Sequence, residues 1–317
     1  MPQKVKIFIS YHDEHPLIKS EILTPIQTGC SSAVKLFDGM LCDNTGDNIS
    51  AANDRYCELS AQYWVGTHLS ELGNPDYIGF MHYRRHFIFD EWKGNPDWCW
   101  LPKGDVYFIP YMTPAYFKHL SDKNILKALQ NVDCLVIKPY DVKNLDSQTV
   151  RNQYCKLPEQ HGENFDKFIA VCKKLYPQYL PEIEQIEQGS VQYLCNMFVM
   201  KRELFSEYND FCFKVLQAVD AEIDSSRMGI DEARFLGYFG EFLLSIYVFH
   251  LLKQPDIRVK YVSAAYVLND EYKVFPYLQY YNYKLLSKIT FGRKKAHCRK
   301  KYQYYKALKK AEKLMQG

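Results

Sequence analysis

The run His82-Tyr83-Arg84-Arg85 places an imidazole, a phenol and two guanidiniums at four consecutive positions. Guanidinium forks bind phosphate oxygens in pairs, and positive charge at that density stabilises a departing diphosphate without a metal. Alternate side chains of a strand face opposite ways, so Arg84 and Arg85 meet one ligand only if the strand has already ended. The competing reading is a pair of surface or ion-paired arginines. A second cluster, Asp43-Asn44-Thr45-Gly46-Asp47-Asn48-Ile49-Ser50, sets short oxygen-bearing side chains around a glycine. With Asp43, Asp47 and Asn48 as contacts, such a loop binds sugar hydroxyls or a cation; alternatively it is a tight turn capping the next helix. The full calcium-loop pattern is missing from it. Third, Asp231, Arg234, Tyr238 and Glu241 recur at three- to four-residue steps and share one face of a continuous helix. Asp231 or Glu241 would then be a general base. The alternative pairs Asp231 with Arg234 and buries Glu241 in a hydrogen bond.

Several chemistries lose their main support. No two aspartates are separated by a single residue, so there is no DxD. A Walker A loop, GxGxxG, GxSxG and HExxH are also missing, which removes the signatures of ATPases, Rossmann oxidoreductases, α/β-hydrolases and zincins. The two closest of the ten cysteines are 12 residues apart, which leaves no CxxC or zinc-ligand spacing and suits a reduced, cytosolic enzyme.

The elements that must position these residues are short strands alternating with helices. Val5–Tyr11 reads as a strand rather than a signal peptide, and it ends in polar His12-Asp13-Glu14. A helix is expected over Tyr56–Leu72, stopped by Gly73-Asn74-Pro75, and the strand Tyr77–Met81 delivers His82 at its carboxyl end. Further strands are expected at Asp133–Ile137, Cys195–Met200 and Val259–Leu268. Helices are expected near Phe165–Leu175, Leu180–Glu187, Glu203–Asp224 and Asp231–Leu252. That alternation predicts an α/β fold with one mixed, mainly parallel sheet, whose ligands sit at the carboxyl ends of the strands. At 317 residues, 47% of them hydrophobic, the chain builds a full core without disulfides. Aromatics reach 15%, with 26 Tyr, a residue suited both to cores and to sugar or base contacts. No apolar run approaches the roughly 18 residues needed to cross a bilayer. Twelve Lys/Arg against one acid between residues 284 and 317 give that tail +11, and the rest of the chain −8. Basic residues interleaved with Tyr302, Tyr304, Tyr305, Leu308 and Leu314 suit an anionic membrane surface. A solvated helix is the plainer reading, and no nucleic-acid motif accompanies the tail.

The segments KIFISYH, ILTPIQTG, MLCDNTGDNIS, YCELSAQYW, YIGFMHYRRHF, NMFVMKRELFSEY and ARFLGYFGEFLL occur in that order. This order resembles the DUF4422 family of bacterial capsule and exopolysaccharide glycosyltransferases, from about residue 5 to residue 268. The resemblance implies a GT-A-like (Rossmann-like) domain over residues 1–275, followed by a basic helical tail over 276–317. It also implies transfer of a sugar, galactofuranose or galactose, from a UDP-sugar to a lipid-linked or growing surface polysaccharide. In such enzymes a hydrophobic strand ends in DxD, which holds a metal on the diphosphate. Here YIGFM ends in HYRR, so His82, Tyr83, Arg84 and Arg85 are expected to meet the diphosphate with no metal required, Asp43 and Asp47 being the ligands of any Mn²⁺ or Mg²⁺. Tyr11, His12, Pro25, Gln27 and Thr28 would line the nucleotide end. Asn196 and Arg234, with Asp43, Asp47 and Asn48, would face sugar or acceptor, and Asp231 or Glu241 would deprotonate the acceptor hydroxyl. The chain would act in the cytoplasm, held at the inner membrane by its tail. A rival reading is a non-catalytic nucleotide- or carbohydrate-binding partner in a polysaccharide assembly complex.

Overall fold

The computed structural model describes residues 3–91, 103–109, 111–157, 159–268 and 275–289, with isolated positions between 295 and 306. Trp92, Trp98 and Trp100 and most of the basic residues after 290 lie outside the described residues. In chain order the strands are β1 (Val5–Tyr11), β2 (Leu23–Gln27), β3 (Leu41–Cys42), β4 (Tyr77–His82), β5 (Arg85–Phe87) and β6 (Val106–Ile109). They continue as β7 (Cys134–Ile137), β8 (Tyr140–Asp141), β9 (Val191–Gln192), β10 (Phe198–Lys201), β11 (Val259–Val262) and β12 (Ala264–Val267). The chain divides into two units, residues 1–83 with 126–262 and residues 84–125 with 263–317.

In the first unit the strands are ordered β11-β7-β10-β4-β1-β2-β3. All are parallel to their neighbours except β10, which runs against both β4 and β7. This is the mixed, mainly parallel sheet expected from the sequence. Its central strands are nearly continuous apolar runs, as strands covered on both faces must be: Ile7, Phe8 and Ile9 of β1 and Ile78 of β4 are fully buried. One face, carrying Phe8, Ile78, Phe80, Val136 and Phe198, shares a single apolar core with helices Leu59–Thr67, Gly162–Leu175, Leu180–Gln188, Arg202–Glu222 and Phe235–Leu251. In the last of these thirteen of 17 residues are buried. It is therefore an interior helix, apolar nearly all round, and each fully buried Leu or Phe contributes about 1.5–3 kcal/mol.

Four boundaries differ from the sequence reading. The Tyr56–Leu72 helix is two helices, Asn53–Tyr56 and Leu59–Thr67, because Cys57 adopts φ 52 and ψ −134 between them. The Asp231–Leu252 helix is interrupted at Arg234, whose ψ of 10 leaves the helical range, so Asp231 belongs to a separate turn, Ile230–Ala233. The Cys195–Met200 strand starts only at Phe198, since Cys195 and Asn196 are left-handed. The strand expected over 259–268 is two strands, divided at Ser263 where the second unit resumes.

The second unit holds β5, β12 and β6, with β12 antiparallel to β5 and parallel to β6. Fully buried His86 on β5 shares a 2.8 Å hydrogen bond with the Tyr116 hydroxyl. The helix Phe275–Ile289 also belongs here. Among the described residues, no helix is long and apolar enough to cross a membrane.

Candidate functional site

Strand order reverses between β1 and β4: the chain leaves β1 for β2 on one side and returns to β4 on the other. In open α/β sheets the carboxyl ends at such a reversal form the ligand crevice. The register sets Ser10 beside His82 and Tyr11 beside Gln27, which brings the expected nucleotide residues to one edge. There the buried ring of Tyr83 stacks on His15 at 4.1 Å, meets His12 edge-on at 4.9 Å and lies 5.8 Å from Tyr11. The Tyr11 hydroxyl donates to the Pro16 carbonyl and accepts from the Ile18 amide, fixing the loop that carries His12 and His15. Gln27 spends its amide on the loop opposite, donating to the Lys35 carbonyl and accepting from the Phe37 amide, while the Thr28 hydroxyl donates to the Tyr11 carbonyl. Pro25 is buried within β2.

A second group forms where β10 approaches the carboxyl end of β4. Three positions of the Phe235–Leu251 helix, four residues apart, hold the segment leading into β10. Ser245 Oγ accepts from the Tyr193 amide at 2.8 Å, Glu241 Oε1 accepts from the Cys195 amide at 2.8 Å, and the Gly237 carbonyl accepts from Asn196 Nδ2 at 3.0 Å. His82 Nε2 donates to the Cys195 carbonyl at 2.6 Å. A carbonyl can only accept, so Nε2 carries the proton and Nδ1 is the basic nitrogen of the neutral ring. Asn196 Nδ2 also donates to Glu58 Oε1 at 2.9 Å. Burial pushes the nearby Cys57 thiol up to about 11, Glu58 adding to the rise and Arg234 opposing it. Burial likewise raises the Tyr238 hydroxyl, with Arg234 lowering it and Glu241 raising it.

The structure therefore gathers His82, Asn196, Glu241 and Arg234 of the expected residues within the first unit. Asp231 stands apart, its side chain 64% exposed and 3.9 Å from Arg234. The Asp43 carboxylate is fully buried and takes four donors: the Gly29 and Cys30 amides and the Ser50 and Ser60 hydroxyls. Asp47 accepts from the Tyr63 hydroxyl, and Asn48 bonds the Gly46 carbonyl and the Ser50 amide. These bonds serve the loop itself. Arg84 and Arg85 open the second unit, where the Arg84 carbonyl accepts from the Val267 amide and the Arg85 guanidinium lies 5.3 Å over the Tyr266 ring. Sequence reasoning missed Glu58, Cys57 and His15, because nothing in the spacing of Cys57-Glu58 announces a left-handed residue.

Residues 6–253 match the family described as Domain of unknown function (DUF4422). The chain belongs to that family. A solved structure described as the apo form of WbbM, a bifunctional glycosyltransferase, is 30% identical and superposes with a TM-score of 0.76 over 84% of this DUF4422 chain. This chain covers 46% of that protein, somewhat under half its length. No curated protein matches. The fold of this chain is thus similar to that of a glycosyltransferase, and His82 and Tyr83 lie at the strand end where open α/β sheets bind their ligands.

Proposed function

We propose that this chain is a glycosyltransferase moving a sugar, galactofuranose or galactose, from a UDP-sugar to a lipid-linked or growing capsule or surface polysaccharide. The observation that carries the reading is the likeness to a glycosyltransferase structure over most of the chain. Fold alone assigns no chemistry, so the residues at the strand ends must supply it. Tyr11, His12, Tyr83 and Thr28 would line the nucleotide end, and the run His82-Tyr83-Arg84-Arg85 would take up the charge of the departing diphosphate. Asp43 does not fit a cation, because protein donors occupy its oxygens. Glu241, anchored beside His82 through Cys195, is better placed than exposed Asp231 to remove the acceptor proton in an inverting reaction. Donor binding is the test: UDP, UDP-galactofuranose, UDP-galactose and GDP titrated calorimetrically with Mn²⁺ and with EDTA. UDP-selective binding that survives EDTA and weakens at least tenfold in Arg84→Ala is expected. Loss of binding in EDTA restores a metal to the mechanism. No nucleotide binding at all sinks the transferase.

The acceptor in this reading is membrane-borne, and the Phe275–Ile289 helix supports that. Tyr281, Leu285 and Ile289, at four-residue steps, are 57–59% exposed, with Lys284 and Lys288 beside them. An apolar stripe flanked by lysines is the pattern of a helix lying on an anionic surface at the inner membrane. Truncation before Lys284 should abolish co-sedimentation with phosphatidylglycerol vesicles. If the truncated chain still sediments, the tail is not the anchor.

A further inference from the structure

We propose that Glu58 is a carboxylate of the acceptor subsite, accepting a hydrogen bond from a hydroxyl of the acceptor sugar, and that Asn196 is the positioning residue that holds it. The inference rests on the glycosyltransferase reading and adds to it a residue that the sequence did not disclose.

Three non-glycine residues with positive φ converge on this carboxylate: Cys57 at 52°, Cys195 at 73° and Asn196 at 48°. Each costs on the order of 1–3 kcal/mol and persists only where its surroundings impose it, and such strain gathers where a group must be held for function. At Cys57 the imposing group is Asn53, whose carbonyl accepts from the Cys57 amide at 2.8 Å and whose Nδ2 donates to the Cys57 carbonyl at 2.6 Å. The chain leaves this turn with Glu58 immediately before the Leu59–Thr67 helix. At the other side, Asn196 gives both amide hydrogens away, one to Glu58 Oε1 and one to the Gly237 carbonyl. That choice leaves its Oδ1 buried with no hydrogen-bond partner among the described residues, although the residue is only 2% exposed. A buried acceptor left unpaired costs about 1–3 kcal/mol. Gly240 leaves the oxygen room: a Cβ there would sit 3.0 Å from Oδ1 and 2.6 Å from Leu59. Strain and an orphaned oxygen are thus both retained to present one carboxylate.

Glu58 itself is half-buried, makes no ion pair among the described residues, and has Asn196 as its hydrogen-bond partner there. One oxygen is fixed by the amide; the other is left for a donor. Glu241 is fixed to the preceding residue of the same turn, so the two carboxylates are held by consecutive residues, Cys195 and Asn196. A sugar acceptor offers neighbouring hydroxyls, one to be deprotonated and one to be gripped. Glu241 serves the first in this reading and Glu58 the second, with Arg234 near enough to Glu58 to feel its charge.

The experiment uses the full chain, UDP-galactofuranose and UDP-galactose as donors, and octyl glycosides of galactose, glucose, mannose and N-acetylglucosamine as acceptor probes, read as UDP release. Glu58→Gln keeps an oxygen for Asn196 to bond, so its melting temperature should stay within a few degrees of the parent while the charge is lost. The expected result is a KM for the glycoside raised about tenfold or more, kcat changed less than threefold, and UDP affinity unchanged. Asn196→Ala should raise the same KM, and the double variant should be no worse than Glu58→Gln alone, since one residue acts through the other. Should the alanine variant not fold, Asn196→Asp has the same shape, sets two carboxylates together, and should raise the KM further as pH increases from 4 to 7. An unchanged KM in Glu58→Gln, or additive effects in the double variant, overturns the proposal. UDP binding with no release on any glycoside also overturns it while leaving the donor reading intact. Failure to bind UDP defeats the transferase reading itself.

Discussion

Two polar clusters near the carboxyl ends of the parallel strands differ in how their hydrogen bonds close. At the Asp43 loop, which continues from β3, every donor and acceptor that matters finds a partner. Two amides and two hydroxyls converge on one buried carboxylate, and Trp64 Nε1 donates to Thr45 from the neighbouring helix. At the Cys195–Asn196 turn before β10, the backbone is left-handed twice and one buried oxygen has no hydrogen-bond partner among the described residues. Saturated networks rigidify a fold, whereas strain and an open acceptor persist where something else is gained. The TGDN motif, conspicuous in sequence, closes its own hydrogen bonds, whereas the inconspicuous Cys195-Asn196 pair leaves one open, and the acceptor subsite is proposed at that pair for this reason.

Asp43→Ala is the strongest way to break that contrast. Removing the carboxylate leaves four donors facing each other in a dry loop, and the cost should be on the order of 3 kcal/mol or more. A urea titration should show the midpoint falling without a change in slope, and the folded fraction should still bind UDP normally. A variant with an unshifted midpoint and no UDP binding would make Asp43 a ligand residue after all.

Much of the sheet was legible because its strands are written as nearly continuous apolar runs: VKIFISY, YIGFM and CLVI read directly as β1, β4 and β7. The helices Gly162–Leu175, Leu180–Gln188 and Arg202–Glu222 also lie close to their periodic patterns. What the sequence concealed lies at chain breaks. Cys57 and Arg234 are neither Gly nor Pro, so no turn residue marks them as interruptions; at Cys57 the break is held by hydrogen bonds with Asn53, four residues earlier. Glu241 and Asn196 could be named from type and position, but the use of one helix face at Gly237, Glu241 and Ser245 depends on partners 41, 46 and 52 residues earlier. Glu58 could not be named, since its role follows from a partner 138 residues away.

The opposite edge of the sheet sharpens the comparison with a smaller effect. Asp133 precedes β7 and accepts from the Arg258 amide and Nε and pairs with Lys201 Nζ at 2.6 Å, tying the ends of β7, β10 and β11 together. Burial pulls its pKa upward, but the Arg258 and Lys201 bonds prevail and bring it from the ordinary 3.8 to about 2. Because the folded value lies below the unfolded one, the contribution is complete above about pH 4 and is lost as pH falls through 2. The full shift would correspond to somewhat over 2 kcal/mol, but Lys201 and Arg258 are 41% and 56% exposed, and solvent screening reduces the expected figure to about 1–2 kcal/mol. Asp133→Asn should therefore lower stability by that amount at pH 7, flatten the acid limb of the stability profile between pH 4 and 2, and leave UDP and glycoside kinetics untouched. A change in the glycoside KM in this variant would mean that the two edges of the sheet are coupled, and the division between a closed structural edge and a strained functional one would no longer hold.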